Sequence, residues 1–323
     1  MKVLVTGATS LLGGAIVRLL VDRDDAVSVF QRGPTDLGVA ETHGDVADAV
    51  AVRRAVAGAD AVVHVAGLVS TVGPWSSFER TNVVGTRNVV AAALERGVGR
   101  VVFISSPSVA HSGASLVGVG AGRANPDTAR GNYARSKAEA ELLALDANCA
   151  ATAVVAIRPH LIWGPGDTQL VGRIVERARS GRLAIVGPGM SLIDTIYIDN
   201  AASAAVAALD RAPEIGGQAF VVTNGQPRPV REIVNRIVSA AGLEPPRLRV
   251  PFLVAKVGGG AAERMWAARD LAGEPPMTRF LAEQLATAHW FDQRETRAKL
   301  QWSPHVSLDE GFVRLEQWFG SQQ

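Results

Sequence analysis

The chain has 323 residues, of which 47% are hydrophobic and 20% charged, and a formal net charge of +2. That length buries one large core or two smaller ones, and the composition excludes a disordered chain. A near-balanced charge without a Lys/Arg-rich run argues against nucleic acid as a partner, and the one cysteine, Cys149, excludes an internal disulfide and fits a reducing compartment.

The start, Met1-Lys2-Val3-Leu4-Val5, lacks the apolar core and cleavage site of a signal peptide. No stretch approaches the roughly 20 apolar residues of a spanning helix, so a cytoplasmic protein is expected. Short β-branched runs at Lys2–Thr6, 26–30, 61–65, 100–105 and 152–157 read as buried strands. Between them, 12–22, 48–57, 76–96 and 133–147 carry helical spacing. This alternation predicts an α/β fold, a doubly wound parallel sheet covered by helices on both faces. The second half is punctuated by Pro165-Gly166, 187–189, 224–229 and Pro245-Pro246. The expected division is a Rossmann domain over 1–165 and a smaller C-terminal substrate-binding lobe over 166–193 and 223–323. Residues 194–222 rejoin the first domain through short strands at 195–198 and Ala219–Val222.

Thr6-Gly7-Ala8-Thr9-Ser10-Leu11-Leu12-Gly13 leaves the first strand and opens a helix, the setting of a dinucleotide fingerprint. Gly7 permits the tight turn and Gly13 close packing of the helix on the sheet. Thr9, Ser10, Leu11 and Leu12 fall where the free N–H groups and positive end of a helix meet a pyrophosphate. Ser10 stands in place of the usual middle glycine, and its side chain either crowds the phosphate or donates to it.

The second strand ends Phe30-Gln31-Arg32-Gly33, where NAD-selective sites carry Asp or Glu. Gln31 does not repel a 2′-phosphate and Arg32 can pair with it, so NADP(H) is expected in preference to NAD(H). The alternative is a solvated Arg32 and an enzyme indifferent to the cofactor. Gly44-Asp45 and the adjoining Val46 are placed for the adenine edge. Ala66-Gly67, after the third of these runs, offers a small backbone passage beside the cofactor.

Tyr133 and Lys137 stand four apart at the start of a helix, on one face. An ammonium beside a phenol favours its ionised form and tunes it for proton transfer to a carbonyl or alkoxide. Ser105-Ser106-Pro107-Ser108 ends the fourth run, at the carboxyl edge where doubly wound sheets bind ligands. Ser106 is preferred to Ser105 from its register with Val109.

With these pieces in order, the sequence resembles the extended short-chain dehydrogenase/reductase family. The matching segments are 6–13, Gly44-Asp45, Asn82-Val83-Val84-Gly85-Thr86, Ser105-Ser106 and 133–137. The segments 30–33, 106–109, 158–167 and 275–280 are similar to its 3β-hydroxysteroid dehydrogenase branch, nearest to the bacterial 2-alkyl-3-oxoalkanoate reductases. The resemblance implies Ser106, Tyr133 and Lys137 as catalytic residues, with Asn82 holding the active-site helix. It implies that Tyr133 donates a proton to the carbonyl oxygen, Ser106 holds that oxygen, and Lys137 binds the nicotinamide ribose. Pro159, His160 and Leu161 then border the nicotinamide, and the substrate is an apolar ketone or secondary alcohol.

His160 either contacts a substrate carboxylate or packs at a strand end. Trp163, Met190, Trp266, Met277, Phe280 and Trp290 are candidates for an apolar substrate pocket, a minority of which are expected to touch substrate. The apolar stretch 250–266 covers that pocket, meets a membrane surface or partner, or packs in a core. No metal is expected, because the histidines and Cys149 lack ligand spacing. A homodimer is the expected assembly. The rival readings are a 3β-hydroxysteroid dehydrogenase, an NAD-dependent sugar epimerase or dehydratase, and an NADP-sensing protein without chemistry. Pro107-Ser108, where dehydratases carry Asp-Glu, argues against elimination.

Overall fold

A computed structural model describes residues 1–70, 72–110, 114–269, 275 and 277–322. Seven strands form the main sheet: β1 (Lys2–Thr6), β2 (Ala26–Gln31), β3 (Ala40–His43), β4 (Ala61–His64), β5 (Arg100–Ile104), β6 (Ala153–Pro159) and β7 (Ala219–Val222). Their order is β3-β2-β1-β4-β5-β6-β7, and every pairing is parallel. Val3 and Val5 point into one apolar layer and Leu4 into the other, so β1 is buried on both faces. That double burial is why these strands read as continuous apolar runs.

One layer is built on α1 (Leu11–Asp22) and the helix Ile198–Ile215. The other gathers α2 (Ala49–Val56), α3 (Gly85–Glu95) and α4 (Gly131–Asp146). The chain runs outward from β1 through β2 and β3, then returns to lay β4 on the other side of β1. Successive crossovers therefore part at the carboxyl ends of β1 and β4 and open a crevice there.

The lobe is assembled from remote pieces. A four-stranded sheet joins Arg228–Pro229, Leu192–Ile193, His289–Phe291 and Leu116–Val119. The last of these comes from the loop between β5 and α4, within the expected first domain. Of 195–198, residues Ile196–Tyr197 form a strand, but it pairs with Ile162–Trp163 in a sheet of its own. In the helix Phe252–Arg269, Trp266 lines the cleft while Leu253, Val254 and Val257 are exposed.

Candidate active site

A cleft of about 1870 Å³ follows the carboxyl edge of the sheet and continues into the lobe. Thr9, Ser10, Leu11 and Leu12 line it beside Gly7. Gly7 has φ +74°, and a Cβ there would lie 2.8 Å from the Ala66 backbone, so the turn requires glycine. A Cβ on Gly13 would run into the Gly7 carbonyl oxygen. The Ser10 hydroxyl caps α1, accepting from the Gly13 N–H at 3.1 Å and donating to the Gly7 carbonyl at 2.8 Å. In this arrangement its proton is engaged within the loop.

At the end of β2, Gln31 is 5% exposed, and neither polar atom of its amide has a hydrogen-bond partner among the described residues. A buried amide at a cleft wall is costly unless something that enters the cleft meets it. Arg32 lines the same cleft and is exposed. Asp45 and Val46 also line it; Asp45 accepts from the Ala47 N–H at 2.9 Å and from Arg80 at 2.8 Å. Ala66 and Gly67 form the passage beyond, where a Cβ on Gly67 would sit 3.3 Å from Asn82 Oδ1 and 3.8 Å from Lys137 Nζ. The glycine turn at a helix start, the orphaned Gln31 amide and the open Gly67 passage together fit a nicotinamide dinucleotide.

The structure brings the Ser106 hydroxyl into the neighbourhood of the Tyr133 phenol. Ser108 donates to Ser106 Oγ at 2.9 Å, while the buried hydroxyl of Ser105 has no partner among the described residues. Tyr133 departs from the expected tuning. Burial raises its pKa above the ordinary phenol value, and the Ser106 hydroxyl offsets part of that rise. The Lys137 ammonium instead donates to the Ile104 carbonyl at 2.5 Å and lies 4.2 Å over the Phe103 ring. Burial lowers Lys137 to about 7, with Glu141, one turn further on, opposing. A phenol held protonated at neutral pH is suited to give up a proton when an oxyanion develops.

Asn82 sits on a π-helical turn, Glu79–Val84, inside what the sequence presents as one continuous helix. Its amide donates to Ser136 Oγ at 2.8 Å and to the Leu68 carbonyl at 3.1 Å, and its oxygen accepts from the Leu68 N–H at 2.7 Å. It thus ties the Gly67 passage to the helix that carries Tyr133 and Lys137. Widened π turns of this kind recur at functional sites.

Pro159, His160 and Leu161 line the cleft after β6. Trp163, expected at the substrate pocket, is core instead. It is wholly buried, stacks on Phe312 at 4.5 Å, meets Tyr197 edge-on at 5.4 Å and donates to Thr195 Oγ1 at 3.0 Å. Its strand pairs with Ile196–Tyr197, which turns the indole away from the cleft. Trp266 and Met277 line the cleft, Met190 is exposed outside it, and Trp290 packs against Gly118. The side chain of Phe280 lies outside the described residues. His289, Leu116 and Gln284 join the lining unannounced, because their places depend on pairings between distant segments.

Among the described residues no group of three or more His, Cys, Asp and Glu could hold a metal, and no helix is long and apolar enough to cross a membrane. Residues 4–252 match the 3-beta hydroxysteroid dehydrogenase/isomerase family. The chain belongs to that family. It is 45% identical to a 2-alkyl-3-oxoalkanoate reductase of Stenotrophomonas maltophilia (strain K279a), over 98% of each chain. It is 28% identical to the human sterol-4-alpha-carboxylate 3-dehydrogenase, decarboxylating, over 98% of this chain and 87% of the human one. A structure of MoeE5 in complex with UDP-glucuronic acid and NAD superposes over all of both chains at a TM-score of 0.76 and 23% identity, a likeness of fold. This member is an NAD(P)-dependent enzyme of the extended short-chain dehydrogenase/reductase type, acting on a small molecule.

Proposed function

We propose that the protein reduces a 2-alkyl-3-oxoalkanoate to the 2-alkyl-3-hydroxyalkanoate with NADPH. The observation that carries this reading is the adjacent Ser106 and Tyr133, the phenol held protonated by burial, in a cleft that continues into the lobe. Ile185, Val186, Val230, Ile233, Val234 and Trp266 are part of its lining there, an apolar set suited to alkyl chains. Bound nicotinamide supplies the hydride. Ser106 and Tyr133 hold the ketone oxygen, and Tyr133 passes its proton to that oxygen as charge develops. Lys137 stands at the Gly67 passage to hold the nicotinamide ribose, with Asn82 fixing helix and passage together. Pro159, His160 and Leu161 border the nicotinamide ring. The 45% identity to a reductase of the same reaction supports the choice of substrate.

Support for NADPH comes from the end of β2, which offers the Gln31 amide and the Arg32 guanidinium and no carboxylate. Replacing Arg32 with alanine is expected to lower kcat/KM with NADPH roughly tenfold more than with NADH, as loss of a charge-assisted phosphate contact would. Equal losses with both cofactors would remove Arg32 from 2′-phosphate recognition. The reaction itself is tested by NADPH oxidation against 2-alkyl-3-oxoalkanoates, 3-ketosteroids and β-keto esters. Highest kcat/KM on the first supports the reading. Preference for a 3-ketosteroid, or turnover of a nucleotide sugar alone, overturns it.

A further inference from the structure

We propose that His160 and His289 form a paired imidazole site that takes the substrate's carboxylate, an inference that rests on the ketoreductase reading above. Both line the cleft that holds Ser106 and Tyr133, at 8% and 1% exposure. Their ring centroids lie 6.0 Å apart with planes at 80°, and Phe291 meets His160 edge-on at 5.2 Å.

Two parts of the chain converge to build this pair. The Ser105 N–H donates to the Ile157 carbonyl at 2.7 Å, so Ser106 and His160 leave neighbouring parallel strands at the same edge of the sheet. His289 enters from the lobe, on a strand paired with Leu116 and Ile193. Thr287 gives its own proton to the Glu283 carbonyl at 2.7 Å, so His289 Nε2–H donates to Thr287 Oγ1 at 2.8 Å, which fixes the ring and makes Nδ1 the nitrogen left for a ligand. The site is therefore complete only when lobe and sheet are joined.

His289 offers an N–H to the carboxylate from Nδ1 as the imidazolium, its second proton taken up together with the acid, and a hydrogen bond to an ionised carboxylate is strong where water is scarce. Against Ile185, Val186, Val230, Ile233 and Val234 a carboxylate would be stranded, so these residues suit the alkyl chains and not the acid. The names of the two relatives share one chemical feature despite unlike skeletons. A 3-oxoalkanoate and a sterol-4-carboxylate oxidised at C3 both carry the carboxylate on the carbon next to the reacting one. Common recognition then belongs beside the ketone oxygen, at the edge where the strands before Ser106 and His160 end side by side. Holding that oxygen on Ser106 and Tyr133 and the carboxylate on the histidines would fix which face of the ketone receives hydride. Arg18, Arg32 and Lys137 line the cleft on the side of the sheet, and the lobe adds Arg173, Arg177 and Arg182, which are the rival partners for the acid.

The test compares kcat/KM for a 2-alkyl-3-oxoalkanoate and for its methyl ester, in the unmodified enzyme and in His160→Leu, His289→Leu, His289→Gln and Arg177→Leu. The unmodified enzyme is expected to prefer the acid. Each leucine replacement of a histidine should lower kcat/KM for the acid at least about tenfold more than for the ester, mainly through KM, and His289→Gln should keep part of the preference. Ester turnover on the same preparations shows that the variants fold. Equal losses on acid and ester, no loss, or a preference abolished by Arg177→Leu alone would overturn the assignment. An unmodified enzyme that reduces ester and acid equally well refutes the carboxylate site and leaves the ketoreductase standing. Reduction of neither refutes the ketoreductase itself.

Discussion

His64 shows how one residue beneath the cofactor passage links packing to pH. The Ala66 N–H donates to Thr6 Oγ1 at 3.1 Å, and Thr6 Oγ1 lies 2.7 Å from His64 Nδ1. Thr86 Oγ1 lies 3.1 Å from His64 Nε2 and gives its own proton to the Asn82 carbonyl at 2.6 Å. The proton of the neutral ring is thereby assigned to Nε2, and Nδ1 accepts from Thr6. Burial, and then the charge of Lys137, lower His64 to about 3 from an ordinary 6.5. As pH falls, the unfolded chain takes up this proton first. The associated stability is present above about pH 6.5 and is lost as pH falls towards 3. Asp194, raised to about 6 by burial, acts in the opposite sense, losing its contribution as pH rises through that value. A His64→Gln protein is expected to be less stable overall but to show a shallower fall in Tm between pH 6.5 and 4. Parallel Tm profiles would mean that His64 does not titrate on unfolding.

At the scale of elements, the inner strands were legible because double burial leaves a continuous apolar run, as in Val101-Val102-Phe103-Ile104. β3 escaped notice: Ala-Glu-Thr-His is short, and as an outermost strand it needs no apolar run. The π turn at Asn82 was equally invisible, since its residues keep helical composition and only backbone geometry distinguishes it. The glycine loop was readable in position and undecided in detail, because the direction of the Ser10 hydroxyl is set by local geometry. Ser10→Ala should cost about 1 kcal/mol of stability through the lost cap. Its NADPH dissociation constant should change by less than about threefold, under 1 kcal/mol. A larger loss of affinity in a binding titration would show that the hydroxyl also meets phosphate.

Across the whole molecule, what the sequence withheld was convergence. Leu116, His289 and Ile193 meet in one small sheet from three distant segments, and no local pattern announces that meeting. The same holds for Trp163, one of the apolar candidates for the substrate pocket. It is clamped between Tyr197 and Phe312 and joins the C-terminal helix Leu308–Gly320 to the rest of the core. Trp163→Ala should therefore cost about 3–5 kcal/mol of stability in a denaturant titration. Selective loss of substrate affinity at unchanged stability would instead return this residue to the pocket.

The most direct measurement follows NADPH oxidation with a 2-alkyl-3-oxoalkanoate by the unmodified enzyme and by Tyr133→Phe, with NADPH binding monitored on both by nicotinamide fluorescence. The unmodified enzyme should form the 3-hydroxy acid, and the phenylalanine variant should bind NADPH yet lose at least about 100-fold in kcat, the usual scale of a missing general acid. Near-normal turnover without the phenol, or no reduction of the ketone by the unmodified enzyme, would contradict the account.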